Sequence, residues 1–174
     1  MIALTPDERD GLLRLLAATA VGMAIGLNRD LHGKPTGTRT LGLVGLGAAL
    51  VAIVCVRVDG MRENPDALSR VIQGVIQGVL TGIGFVGAGV VIRDRRNLSV
   101  HGLTTAATVW MTAALGIACA LASWPFVALG AVVTLVLLVL AKPLDAVLDK
   151  RARRRNGYRP LPHDEVSTPL DGPQ

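Results

Sequence analysis

The sequence predicts an all-α fold, a polytopic transmembrane bundle of five spans with the N-terminus outside and the C-terminus cytoplasmic. Three observations predict it: long apolar windows nearly free of charge, small residues repeated every four positions, and basic residues gathered in alternate connections. Hydrophobic residues make up 51% of the 174 residues and charged residues 18%, with twenty glycines and only 3% aromatics. Glycine and alanine let helices approach closely in lipid, where packing rather than the hydrophobic effect drives association. A water-soluble core would draw more on Phe and Tyr.

A spanning helix needs about 20 mostly apolar residues. Five stretches qualify: 11–27, with Arg14 near its start; 40–56, bracketed by Arg39 and Arg57; 71–92; 103–122; and 125–141, closed by Lys142-Pro143. The turn Ser123-Trp124-Pro125 forces the last two into a tight antiparallel hairpin. Trp124 then belongs at the membrane interface, where amphipathic rings are favoured. Domain boundaries follow: an extracytoplasmic N-terminus at 1–10, the membrane domain at 11–141, a basic juxtamembrane helix at 142–155 and a disordered tail at 156–174.

Orientation follows from Lys and Arg placement. Arg29, Lys34 and Arg39 in the first loop, Arg93, Arg95 and Arg96 in the third, and seven basic residues between Lys142 and Arg159 fall on one side of a five-span arrangement. Arg9, Arg14, Arg57, Arg62 and Arg70 fall on the other. A four-span arrangement separates the tail from the first loop and breaks the rule. The net charge of +5 sits in short loops and a tail rather than on one patterned face, so nucleic acid is not an expected partner. The bilayer is, with anionic headgroups near 142–155.

Small residues at four-residue spacing mark the packing faces. Ala18, Gly22 and Gly26 form one row; Gly74, Gly78 and Gly82 form another, followed by Gly84 and Gly87; Ala114, Ala118 and Ala122 form a third. So many glycines in one span cost helical stability unless close contact requires them. The third span is therefore expected at the centre of the bundle, and the fifth, almost purely aliphatic from 132 to 140, at its lipid-facing edge. Such grooves also suit homo-oligomerisation.

Polar groups inside the spans are the second signal. Gln73, Gln77 and Thr81 share one face of the third span; Thr104, Thr108 and Thr112, with Thr105 beside them, share one face of the fourth. Two readings fit: hydrogen bonds between helices and back-bonding within them, or a polar seam lining a cavity or partner site. No Asp or Glu lies inside the five stretches. Magnesium takes oxygen ligands and usually one or two carboxylates, so no cofactor or metal site is expected and a coupled transporter is disfavoured. Cys55 and Cys119 read as inert buried thiols, and the absence of a nucleophile–His–acid set disfavours an enzyme. The basic loops, with His32 and His101, form an expected cytoplasmic platform for an anionic partner or lipid headgroup.

Three blocks resemble the MgtC/SapB family of bacterial inner-membrane proteins: Gly26-Leu27-Asn28-Arg29 with Gly33-Lys34-Pro35-Thr36-Gly37-Thr38-Arg39-Thr40; Gly82-Ile83-Gly84-Phe85-Val86-Gly87-Ala88-Gly89 with Ile92-Arg93; and Val100-His101-Gly102-Leu103-Thr104-Thr105-Ala106-Ala107 with Trp110. The resemblance covers about 11–122. It implies four or five spans and a link to magnesium limitation, acid stress and survival in hosts. It implies either a magnesium transporter or a regulator that binds other membrane proteins, the ATP synthase among them. The family often carries a C-terminal ACT-type domain, for which 142–174 is too short. The family usually has Glu where this chain has Asn28, and often His where it has Leu41. The residues favour a non-enzymatic regulator docking through its glycine rows. The rival is an ion or small-solute transporter with Gln73, Gln77, Thr81, Thr104 and Thr108 along its path.

Overall fold

The structure, a computed structural model, describes residues 5–58, 63–94 and 99–155, with backbone only over 92–94, 99–101 and 141–155. The expected disordered tail, together with Arg62, Arg95 and Arg96, lies outside the described residues.

Five helices form the fold: α1 Pro6–Asp30, α2 Thr38–Val56, α3 Pro65–Gly89, α4 Leu103–Leu121 and α5 Trp124–Arg155. Each boundary has a local cause. At α1 the Thr5 N–H donates to Glu8 Oε2 at 2.7 Å while the Glu8 N–H donates to Thr5 Oγ1 at 3.3 Å. This reciprocal capping box, with Pro6 at the first helical position, starts the helix well before the apolar run does. Asn64 caps α3 through the Ala67 N–H at 3.2 Å, again ahead of a proline. The N-cap of α2 is Gly37, which has no side chain to offer. Asp30 substitutes for it, accepting from the Thr38 N–H at 2.8 Å and the Thr38 hydroxyl at 2.6 Å. A carboxylate there also complements the helix dipole.

Between α3 and α4 the chain forms a short antiparallel hairpin that the apolar pattern does not reveal: β1 Ile92–Asp94 against β2 Ser99–His101, with Ile92 opposite His101. It ends at Gly102, whose φ of 90° favours glycine. A Cβ there would also overlap the Val90 carbonyl oxygen.

Helices α1, α2, α3 and α4 are long and apolar enough to cross a membrane; the apolar part of α5, Trp124–Leu140, is shorter. The chain divides into two compact units, Met1–Val139 and Leu140–Gln174, the boundary falling within α5. The helical backbone runs past Lys142 and Pro143, where the sequence pattern closes the span, to Arg155.

In the first unit α4 is the central helix. Ten of its residues are buried, from Thr105 to Ala120. Of α3, Gly87 alone is buried, so the expectation that α3 lies at the centre is corrected. The physical reason is that the closest approaches use other glycines. A Cβ on Gly22 would overlap the Leu41 carbonyl oxygen, and one on Gly26 would overlap the Thr38 backbone. A Cβ on Gly45 would stand 2.6 Å from the Ala18 oxygen, and one on Gly116 would stand 2.5 Å from the Gly45 oxygen. α1, α2 and α4 thus meet backbone to backbone around small residues such as Ala18, Ala49, Ala52 and Ala113. Ile25, Leu41, Val109 and Leu115 fill the rest. The outward surface is largely apolar, with Leu16, Leu43, Phe126 and Leu137 exposed, as hydrocarbon contact requires.

Candidate functional site

Two polar features stand out in this bundle, one closed and one open. The closed one is built on Arg29, at the last turn of α1 and 4% exposed. Its Nε donates to the carbonyls of Pro35 and Thr36 at 3.0 and 3.2 Å, and its Nη2 to Pro35 at 2.7 Å. The same Nη2 donates to Thr105 Oγ1 at 2.6 Å, and Nη1 to Thr108 Oγ1 at 3.3 Å. The Thr108 hydroxyl in turn donates to the Thr104 carbonyl at 2.6 Å, and that of Thr112 to the Thr108 carbonyl at 2.8 Å. Arg29 therefore ties the α1–α2 loop to the first turns of α4, using neutral oxygens only. Thr36 holds a φ of 61°, a strained setting for a β-branched residue, and its carbonyl is one of those Arg29 secures.

At the opposite end Arg14 closes α4. Its Nη1 donates to the carbonyls of Cys119, Ala120 and Ala122 at 3.0, 3.3 and 3.2 Å. Its Nε bonds Asp10 at 2.7 Å, and the guanidinium lies 5.4 Å from the Trp124 ring centre. Arg57 reaches back to α1, donating to the Asp7 carbonyl at 2.6 Å and pairing with its carboxylate. A cleft of about 270 Å³ opens beside Asp10, Arg14, Arg57 and Leu68.

The open feature is α3. Val75, Val79, Leu80 and Ile83 pack on the core. At about 100° per residue, Thr81 falls on the far side, and Gln77 and Gln73 turn progressively towards the edge that carries Leu80. All three are exposed, and none makes a side-chain hydrogen bond among the described residues. Gly74, Gly78, Gly82 and Gly84 run beside them, and a Cβ on any would meet nothing within 4 Å. Gly78 and Gly82 also edge an apolar groove of about 400 Å³ shared with Leu43, Gly47 and Val51 of α2.

The residues singled out in the sequence therefore separate. Ala18, Gly22 and Gly26 are buried against α2, and a Cβ on the buried Gly87 would stand 3.4 Å from the Ala106 Cβ. Thr105, Thr108 and Thr112 are buried along α4, whereas Thr104 is exposed. The two polar rows do not form one seam: α3 turns its row outward. The basic face divides as well. Lys34 and Arg39 are exposed, Arg29 is interior, and Arg93 lies in β1. Sequence reasoning missed Gly45 and Gly116, whose only signal is a small residue amid aliphatics, and the capping work of Arg14 and Asp30. Among the described residues no three His, Cys, Asp or Glu side chains gather where they could hold a metal ion.

The profile of the MgtC family matches residues 15–147. The chain belongs to the MgtC family. It is 39% identical over 140 residues to protein SrpB of Synechococcus elongatus, an alignment covering 77% of this chain and 76% of that one. It is 32% identical over 172 residues to an uncharacterized protein of Haemophilus influenzae, covering 93% of this chain and 68% of that one. It is 39% identical over 110 residues to protein MgtC of Salmonella typhimurium, covering 63% of this chain and 43% of that one. No solved structure matches the chain. Family and helices together make it an MgtC-like membrane protein, and its buried Arg29 and Gly26 lie within the matched residues.

Proposed function

We propose that this MgtC-like protein is a non-enzymatic regulator of the bacterial inner membrane that works by docking against other membrane proteins during magnesium limitation or stress. The observation that carries the reading is the outward side of α3, where two carboxamides and a hydroxyl have no side-chain partner among the described residues and stand beside a glycine row. Polar groups in hydrocarbon are costly and mark functional positions. A glycine row left empty in the single chain is a surface prepared for another helix. The basic loops suit the cytoplasmic side, which places the N-terminus outside with α5 as the fifth span; 17 residues at 1.5 Å each reach about 26 Å, close to the hydrocarbon thickness. A large membrane complex such as the ATP synthase is the kind of partner the family resemblance implies.

The transporter reading has less support. Thr108 and Thr112 spend their hydroxyl protons on their own helix, and Arg29 occupies the Thr105 end of that row. Cross-linking followed by co-purification from native membranes under magnesium starvation tests the proposal. A membrane partner recovered with the wild-type chain and lost with Gly78→Leu supports it; recovery of no partner overturns it. Uptake into proteoliposomes abolished by Gln77→Leu would favour the transporter.

A further inference from the structure

We infer that a second copy of this chain covers the outward face of α3, the two helices crossing at Gln77 about a twofold axis along the membrane normal. The inference rests on the docking reading and names its occupant. Gln77 is the midpoint of the 25-residue α3 and stands six residues past Val71, the start of its charge-free stretch, about 9 Å into the hydrocarbon, where neither water nor lipid can serve its amide. Gln73 and Thr81 stand one turn to either side, likewise without side-chain partners among the described residues.

A twofold axis along the normal is the symmetry that two copies inserted the same way can share, and it sets residues of equal depth against each other. Gln77 then faces its own equivalent. A carboxamide offers both a donor and an acceptor, so two of them satisfy each other by exchanging N–H···O bonds, as Gln73 can a turn away. A different protein would have to carry matching groups at these depths; a second copy carries them by construction.

Two further properties agree. The rows Gln73, Gln77, Thr81 and Gly74, Gly78, Gly82 occupy adjacent positions at four-residue spacing, the pattern by which small-xxx-small helices cross at close range. From Val71 to Val91 there is no charged residue, so two copies meet without like-charge repulsion. A Cβ at Gly74, Gly78 or Gly82 would meet nothing in the single chain; their need for glycine arises only when another backbone arrives.

The test uses the full chain in its own membrane, with Cys55→Ala to leave only the buried Cys119. Gln77→Cys should close an intermolecular disulfide on mild oxidation, giving a product that contains two differently tagged copies. Leu137→Cys, on the exposed side of α5, should not. Energy transfer between labelled copies in vesicles should show Gly78→Leu and Gln77→Leu weakening self-association about tenfold, with Cys119 still shielded from thiol reagents as proof of folding. Absence of the Gln77→Cys dimer, or an equal yield from Leu137→Cys, overturns the inference. A photo-cross-linker at the exposed Phe85 that captures a different membrane protein and no second copy overturns the occupant but leaves the docking reading standing. Capture of neither overturns both.

Discussion

The two sets of glycines should respond oppositely to one added methyl group. In Gly116→Ala the new Cβ would stand 2.5 Å from the Gly45 carbonyl oxygen and 3.0 Å from the Ala48 Cβ. Carbon–oxygen contacts settle at about 3.3–3.6 Å, so α4 must retreat from α2 by roughly 1 Å, and the obstacle is backbone that cannot rotate away. Overpacking of this kind costs about 1–3 kcal/mol. In Gly78→Ala the Cβ meets nothing. Both substitutions gain the same helical preference of alanine over glycine, about 1 kcal/mol, so that gain cancels between them. Gly116→Ala should therefore be less stable than Gly78→Ala by about 1–3 kcal/mol, and Gly45→Ala, 2.6 Å from the Ala18 oxygen, should follow Gly116→Ala. Unfolding of detergent-solubilised single chains by added SDS, followed by far-UV circular dichroism and by labelling of Cys119, gives the comparison. Equal stability of Gly116→Ala and Gly78→Ala would refute the packing argument.

The threonines of α4 should also divide. Thr105→Val removes an acceptor from a buried guanidinium and should cost about 1–3 kcal/mol, whereas Thr112→Val loses only a bond to its own helix and should stay within about 1 kcal/mol in the same unfolding assay. Asp30→Ala strips α2 of its cap and should cost about 0.5–2 kcal/mol, with faster proteolysis of the α1–α2 loop as a local readout. Gly102→Ala adds a left-handed backbone penalty of about 1–2 kcal/mol to overlap with Val90; protease susceptibility of the hairpin should rise.

Membrane character, the four long helices and the family were legible from charge-free windows and three glycine blocks, because hydrocarbon demands both. The direction in which each row faces was not legible. Gly22 and Gly78 have the same four-residue spacing, and composition cannot say that one meets the Leu41 carbonyl while the other meets nothing. The polar rows misled for a related reason. Glutamine in a span implies a bonding partner, and the nearest assumption is a partner in the same chain; the structure leaves Gln77 unmatched on the outside. Arg29 read as a surface charge because positive-inside counting scores a residue by position along the chain. Its four-residue neighbourhood of Pro35 and Thr36 carbonyls and Thr105 and Thr108 hydroxyls exists only after α1 and α4 are folded together.

The bundle thus combines a closed part and an open one, and the chemistry of each explains the other. α1, α2 and α4 are locked by backbone contact and tied at both ends by arginines: Arg29 at one, Arg14 and Arg57 at the other. A buried cation without its bonds is expensive, so this trio resists rearrangement. Leu41, fully buried, adds an apolar group to that end. Helix α3 has none of these ties beyond Gly87 and its aliphatic inner edge. Because the rigid trio does not depend on the outer face of α3, that face can exchange occupants without unfolding the chain. A docking protein needs that separation: a frame that holds its shape in lipid, and one helix whose polar and glycine rows are completed by whatever comes to cover them.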